Sequence, residues 1–426
     1  MRVLVLGSGG RENALAWGLS RAPSVTELLC APGNPGMETL AEVTPLDIED
    51  ASAVLDTARG FAADLVVIGP EAPLVAGVAD HLTEAGIKVF GPSAGAAWVE
   101  GSKAHAKELM EAAGIPTGSS RVFGEPHSAV AYIDELGPPY VIKADGLAAG
   151  KGVVVTGDRA EAIEAIEDRL VRGVFGDAGN RVLIEEFLDG QEASLIAFVD
   201  GRNAIVCEPA QDYKRVADGD LGPNTGGMGS YSPVPVCPLD VCEEIKSEVI
   251  QPMVAELSRR GTPFVGALYA GVALTSKGPK VIEFNARFGD PETQALIPRL
   301  QTDLGSICAA CASGDVSGVD VKWSTDTCVS VVLASKGYPG PYGTGVEITG
   351  IEEAARSPDV AVFHAGTRRD SDRLVTSGGR VLAVSALGNT FSVARTKAYA
   401  AAELISFDGK HMRTDIAARA QEKETS

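Results

Sequence analysis

At 426 residues, with 57 acidic against 37 basic side chains and a net charge of −20, the chain is too long for one ordinary core, and two to four domains are expected. So acidic a surface repels phosphate backbones and argues against a nucleic-acid partner. Its apolar stretches are strand-sized, far short of the roughly 20 residues of a membrane span, and the start has no basic-then-apolar leader, so a cytoplasmic protein without a membrane partner is expected.

Residues 1–90 alternate strand and helix: strands at 2–6, 26–31, 65–68 and 87–90, helices near 11–21, 51–60 and 75–85. Continuous apolar strands separated by helices predict a parallel sheet covered on both faces. In such a sheet the ligand crevice lies at the C-terminal ends of the strands. Those ends carry Gly7–Glu12, Ala31–Asn34 and Gly69-Pro70-Glu71.

The first of these loops, Gly7-Ser8-Gly9-Gly10-Arg11-Glu12, invites a dinucleotide reading. The fingerprint wants a third glycine where Glu12 stands, and a ribose-binding acid after the second strand where Cys30, Ala31, Pro32 and Gly33 stand. It fails at both. Backbone amides at a helix N-terminus still attract an anion, and Arg11 adds a cation. A tight turn without a ligand is the alternative.

Gly91-Pro92-Ser93 ends the pattern, and a helix is predicted over about 94–113. From 140 to 295 the texture becomes antiparallel α+β, with strands at 140–144, 153–156, 182–188, 193–199, 265–275 and 280–286. Residues 208–237 form a long irregular stretch, which in a compact protein suggests a functional loop. After about 320, short strands (328–334, 360–365, 380–385) precede a helix near 390–406, and the last ten residues look loosely held. The fold class expected is therefore α/β and α+β, multidomain, with a parallel-sheet N-terminal domain and a small C-terminal β/α domain.

Two stretches in the middle carry chemistry. Asp145-Gly146-Leu147-Ala148-Ala149-Gly150-Lys151-Gly152 lies between apolar strands and lacks the Walker A order. It resembles a glycine flap closing over nucleotide phosphates, with Lys143 just before it; a mobile surface turn is the alternative. Val281–Glu292 places Glu283, Asn285 and Arg287 alternately on one strand face. Two oxygen ligands at i,i+2 followed by a cation suit Mg²⁺ and phosphate. The strand ending Glu185-Glu186-Phe187-Leu188 is a weaker signal for an adenine edge, with nearby Glu192 for ribose hydroxyls.

Seven scattered cysteines argue for reduced thiols. Cys308 and Cys311 have metal-like spacing, but no second pair or nearby histidine completes a site, and core packing is expected. His81, His105, His127, His364 and His411 read as surface or structural residues.

Taken together, LGSGGREN, APGNPG, GPEAPL, EGSKAHAK, VIKADGLAAGKGV, IEEFLDGQEAS, QDYKR, GPNTGGMGSYSPVP, VIEFNARFGDPETQ, GYPG, VFHAGT and SGGRVL make nearly the whole chain similar to the glycinamide ribonucleotide synthetases. These are ATP-grasp ligases of purine biosynthesis, and RFGDPETQ and GPNTGGMG are their most specific motifs. The resemblance implies three domains: 1–100 (the pre-ATP-grasp domain), an ATP-grasp core over 101–320 with a flap subdomain at about 115–192, and 321–426. It implies ATP and Mg²⁺ (or Mn²⁺) as cofactors, glycine and 5-phosphoribosylamine as substrates, a glycyl-phosphate intermediate, a monomer, and no second enzyme fused to either end.

By the same resemblance, Glu283 and Asn285 hold the metal; Arg287, Lys143 and Asp290 are catalytic. ATP is held by Lys103, Lys143, the flap residues Gly146, Gly150, Lys151 and Gly152, and by Glu185, Glu186, Leu188 and Glu192. Phosphoribosylamine faces Gly9, Gly10, Arg11, Glu12, Pro70 and Glu71 on one side, and Asp212, Lys214, Thr225, Gly226, Gly227, Met228 and Gly229 on the other. The chain departs from the family at Asn13 and Tyr213, where histidines are usual. Rival readings are another ATP-grasp ligase, which lacks RFGDPETQ; a nicotinamide oxidoreductase, weakened at Glu12; and a catalytically dead nucleotide binder, against which Lys103, Lys143, Glu283 and Asn285 stand together.

Overall fold

The computed structural model describes residues 1–148 and 152–424. Its N-terminal sheet has five parallel strands, β1 (Arg2–Gly7), β2 (Glu27–Pro32), β3 (Glu42–Val43), β4 (Leu65–Ile68) and β5 (Lys88–Phe90), in the order β3-β2-β1-β4-β5. Central β1 has Val3 opposite Leu28 on one side and Leu65 on the other. Its alternate side chains enter different cores, Leu4 and Leu6 one, Val3 and Val5 the other. Two buried faces explain the uninterrupted apolar run.

A second, antiparallel sheet runs in the order Ala204–Val206, Gln191–Asp200, Val265–Thr275, Gly278–Asn285. A third, Ser120–Phe123, Val182–Glu185, Tyr140–Ala144, Val153–Thr156, is covered by the helices Pro126–Leu136 and Arg159–Leu170. It has a separate apolar core that includes Ile133, Ile142, Ile166 and Ile184.

The C-terminal sheet borrows strands from the middle of the chain. Its order is Gln211–Asp212, Gly229–Ser232, Thr327–Ala334, Arg380–Gly388, Val360–His364, with Ser230 opposite Ser330. The stretch 208–237 is thus more ordered than expected, since it also folds a hairpin from Arg215–Ala217 and Leu221–Asn224. Its strands are only two to four residues long, and Gly229–Ser232 finds its second partner about a hundred residues away, so no local pattern reveals them.

Three other expectations need correcting. The helix expected over 94–113 is two, Ala94–Gly101 and Lys103–Ala113, because Ser102 is extended (φ −144°, ψ 117°) and its hydroxyl caps the second by accepting from the His105 amide. The helix expected over 75–85 breaks at Gly77, whose φ of +86° suits only glycine. The chain end is not loose among the described residues: Ala418–Glu424 is helical, and Glu424 accepts from the Phe391 amide at 2.8 Å, capping the helix Phe391–Leu404.

Candidate active site

A cleft of about 690 Å³ opens between the second and third sheets. One wall carries Lys143, Val155 and Leu183, the other Glu192, Tyr269, Glu283 and Asn285. The break at Ser102 starts a helix whose first residue, Lys103, enters this space. Asp145 fixes the junction, accepting from Ser102 Oγ (3.0 Å), the Ala104 amide (2.8 Å) and Arg181 (2.5 Å). Lys103 Nζ donates to the Gly146 carbonyl at 3.2 Å. Burial pulls the Lys103 ammonium below its usual range, against the attraction of Glu283.

Glu185, at the end of its strand and 1% exposed, pairs with Lys143 (2.5 Å) and with Lys107. Its single negative charge is shared between two of the three lysines that line this wall, which leaves the cluster net positive. Gly146 abuts the Ala178 backbone, where an added Cβ would stand 2.8 Å away. Gly150 and Lys151 lie outside the described residues.

Glu283 and Asn285 stand on the strand opposite Gly271 and Tyr269 and face the cleft. Among the described residues, no side-chain hydrogen bond or ion pair engages either of them. Two free oxygen donors at i,i+2 are the kind of set that Mg²⁺ shares with phosphate oxygens and water, so the residues fit that ion.

Arg287 follows, and its guanidinium meets Glu100 Oε1 at 2.8 Å and Glu71 Oε2 at 3.3 Å. Burial disfavours its charge, but Glu100 and Glu71 outweigh that and raise its pKa. Burial likewise raises Glu100, which also accepts from the Ala286 amide at 2.6 Å.

Around the first loop, Glu12 is 2% exposed, accepts from the Gly9 amide (2.7 Å) and pairs with Arg11 (2.5 Å). A Cβ on Gly7 or on Gly69 would fall 2.3 Å from Glu12 Cγ. The carboxylate side chain is therefore wedged between two loops, and by accepting the Gly9 amide it supplies the glutamate half of a capping box at the helix start. Asp290 pairs with Arg380 at 3.0 Å and accepts from Gln294 at 2.7 Å. Arg380 also donates to the Gly226 carbonyl, and the Gly226 amide donates to Tyr338.

Residues 1–100, 101–293 and 328–419 match, in turn, the N domain, the ATP-grasp (A) domain and the C domain of phosphoribosylglycinamide synthetase. The chain belongs to the phosphoribosylglycinamide synthetase family. It is 52% identical over 423 residues to the phosphoribosylamine–glycine ligase of Streptomyces coelicolor, covering 99% of each chain. The crystal structure of the Thermotoga maritima phosphoribosylamine–glycine ligase superposes with a TM-score of 0.84 at 36% identity, over 98% of this chain and 100% of that one. A biotin carboxylase domain of Hydrogenobacter thermophilus 2-oxoglutarate carboxylase, solved with MgADP and bicarbonate, shares the fold at 16% identity, with a TM-score of 0.74 over 96% and 91% of the two chains.

Of the residues that the family resemblance nominated, the cleft is lined by Arg11, Glu71, Lys103, Lys143, Gly152, Glu185, Glu186, Leu188, Glu192, Asp212, Lys214, Thr225, Gly226, Glu283, Asn285, Arg287 and Asp290. Gly9, Gly10, Glu12, Pro70, Gly146, Gly227, Met228 and Gly229 are not part of its lining. Gly10 packs on Gln294, Gly227 on Pro291 and Gly229 on the Ser330 carbonyl. Asn13 is buried and accepts the His364 amide at 2.6 Å, while Tyr213 lines the cleft.

Sequence reasoning missed Glu100, Lys107, Glu292 and Arg380, which also line it. Lys107 was findable, being one helical turn from Lys103 on the same face. Arg380 comes from the C-terminal sheet and has no local signal. Cys308 and Cys311 lie on the buried face of the helix Leu304–Ala312, and burial raises both thiols.

Proposed function

We infer that this protein joins glycine to 5-phosphoribosylamine with conversion of ATP to ADP and phosphate, giving glycinamide ribonucleotide in purine biosynthesis. The observation that carries the reading is the match of all three domains to one family, with full-length relatives named phosphoribosylamine–glycine ligase.

In this reading the glycine carboxylate attacks the γ-phosphate and ADP leaves. The phosphoribosylamine nitrogen then attacks the glycyl carbonyl and phosphate departs. No covalent enzyme intermediate is needed; the demand is positioning and charge neutralisation. Lys103 and Lys143 take nucleotide phosphate oxygens. Glu186 and Leu188 frame the adenine, where Glu185 serves by fixing the lysines, and Glu192 takes the ribose. Glu283 and Asn285 would hold Mg²⁺, which would supply neutralisation of nucleotide phosphate charge.

Arg287, aimed by Glu100 and Glu71, meets the charge that builds on the transferring phosphoryl group, and Asp290 serves the glycine side. The 146–152 loop excludes water from the acyl phosphate. Arg11 and Glu71 face Lys214 and Thr225 across the phosphoribosylamine end, with Gly9 and Gly10 behind them. The domain division 1–100, 101–320 and 321–426, a monomeric state, Mn²⁺ as an alternative ion and a cytoplasmic location without nucleic-acid or membrane partners belong to the same reading. The net charge of −20 supports the lack of a nucleic-acid partner, and among the described residues no helix is long and apolar enough to cross a membrane.

The test is phosphate release from ATP with freshly generated phosphoribosylamine. Release should require glycine. Release indifferent to glycine, or faster with another amino acid, would overturn the assignment.

A further inference from the structure

Among the described residues Arg413 is the largest fully buried side chain, at 0% exposure, and it is not part of the cleft lining, although Arg419 and Asp220 beside it are. A buried guanidinium is costly unless carboxylates and carbonyls surround it. Arg413 donates through Nε and Nη2 to Asp415 (2.7 and 2.6 Å), through Nη2 to Asp220 (3.0 Å), and through Nη1 to the Arg215 carbonyl (3.0 Å). Its guanidinium carbon also lies 4.6 Å from the centre of the Tyr213 ring. Among the described residues, Asp415 is the one guanidinium partner near it in sequence; the others belong to residues 213–220.

The contacts repeat along the segment. Thr414 donates its amide to Asp218 at 2.8 Å, the Gly219 amide donates to Asp415 at 2.9 Å, and Arg419 meets Asp220 at 2.6 Å. The Ala417 amide donates to the Tyr213 hydroxyl at 2.9 Å. The hairpin so gripped is otherwise lightly held, with Leu221 at its tip 66% exposed. Its base is where the chemistry lies: Lys214 enters the cleft, and its carbonyl accepts from the Thr225 amide at 2.7 Å and the Thr225 hydroxyl at 2.8 Å.

We propose that residues 411–419 are a positioning strap for the substrate cleft. Arg413 and Tyr213 fix the hairpin and thereby set where Lys214 presents its ammonium to the anionic phosphoribosyl substrate. Arg413 is a positioning residue, acting through Asp220 and Tyr213, and touches no substrate. Tyr213, one of the two departures from the family pattern, contributes a ring for the guanidinium and a hydroxyl for the strap backbone.

The inference rests on the proposed ligase reading, and the two fail differently. If the unaltered protein does not release phosphate with glycine and phosphoribosylamine, the ligase reading falls first. If it does, Tyr213→Phe should raise KM for phosphoribosylamine about threefold to fivefold, and Arg413→Met at least tenfold, with kcat and KM for glycine changed less than twofold. Hydrogen exchange in the same variants should speed up within residues 211–225 and stay unchanged in the N-terminal parallel sheet. Arg413→Lys should restore part of both effects. An unchanged KM in folded variants, or exchange that rises equally throughout the molecule, overturns the strap. The exchange measurement decides the matter even for a variant too weak to assay.

Discussion

The Arg287 guanidinium lies 2.8 Å from Glu100 Oε1, so the cation that follows the Glu283–Asn285 pair is aimed by a carboxylate nearly two hundred residues earlier in the chain. Glu100 ends the helix Ala94–Gly101, just before the Ser102 break that releases Lys103 into the cleft. One short junction therefore sets both Lys103, proposed above to take nucleotide phosphates, and the orientation of Arg287, proposed above to be catalytic.

Glu100→Gln keeps the shape and removes the charge. Glu71 remains 3.3 Å from Arg287 and offsets part of the loss. The expected cost is about 2 kcal/mol of stability, less than for stranding a fully unpaired buried charge, and calorimetry should show the lowered transition. Phosphate release should fall at least tenfold as Arg287 swings toward Glu71, while KM for ATP holds. A variant with normal turnover would show that Glu100 is not needed to aim the arginine.

Glu283→Ala should behave in the opposite way. The Glu283 side chain makes no hydrogen bond or ion pair among the described residues, so its removal should leave thermal stability within about 0.5 kcal/mol. Activity should fall by roughly a hundredfold or more, about 3 kcal/mol of transition-state stabilisation. Titrating Mg²⁺ should show half-saturation shifted upward. Stability lost in step with activity would place Glu283 in the framework instead.

What was legible in the sequence follows from the range of the forces involved. The strand Val3–Leu6 announced itself because both of its faces are buried, and Glu283 and Asn285 because a strand alternates its sides. The break at Ser102 was not visible, since Ala, Glu and Lys favour helix on both sides and the junction is fixed by Asp145, forty-three residues on. Arg380 and Arg413 were invisible for the same reason: nothing near them in the chain says that their charges have partners at Asp290 and Asp220. Glu12 is the instructive case. The sequence marks it as a departure from the dinucleotide fingerprint, and the structure shows its side chain filling the space left by Gly7 and Gly69.

Asp212 and Lys214 give a pH dependence. Burial raises the Asp212 carboxyl from 3.8 to about 6, against the pull of Lys214 2.7 Å away. Below about pH 6 the folded protein keeps a proton that the unfolded chain releases near pH 3.8. That contribution to stability is present below pH 3.8 and lost as pH rises through 6. Function runs the other way, because Lys214 needs the ionised partner to stay in place. kcat/KM for phosphoribosylamine should drop below pH 6, and Asp212→Asn should abolish that limb at the cost of weaker binding throughout. An unaltered acid limb in the variant would assign it to another group.

His364 reports on how the C-terminal sheet docks against the N-terminal loops. Its ring packs on Gly36, where an added Cβ would stand 2.6 Å from the imidazole, its Nδ1 lies 3.0 Å from the Thr367 hydroxyl, and its backbone carbonyl accepts from Asn34 at 2.9 Å. Burial, with a smaller push from Arg369 against the pull of Glu38, lowers its pKa from 6.5 to about 4. The unfolded chain therefore takes up a proton at this histidine near pH 6.5, and the folded protein resists doing so until about pH 4. The stabilisation is complete above pH 6.5 and disappears as pH falls from 6.5 to 4, at most about 3 kcal/mol over that window. This slope adds to any from the carboxylates, so it is isolated by difference. In His364→Gln the melting temperature should be lower at pH 7.5 and should fall less steeply between pH 6.5 and 4 than in the unaltered protein. Parallel curves for the two proteins would mean that the histidine is protonated as readily in the folded state as in the unfolded chain.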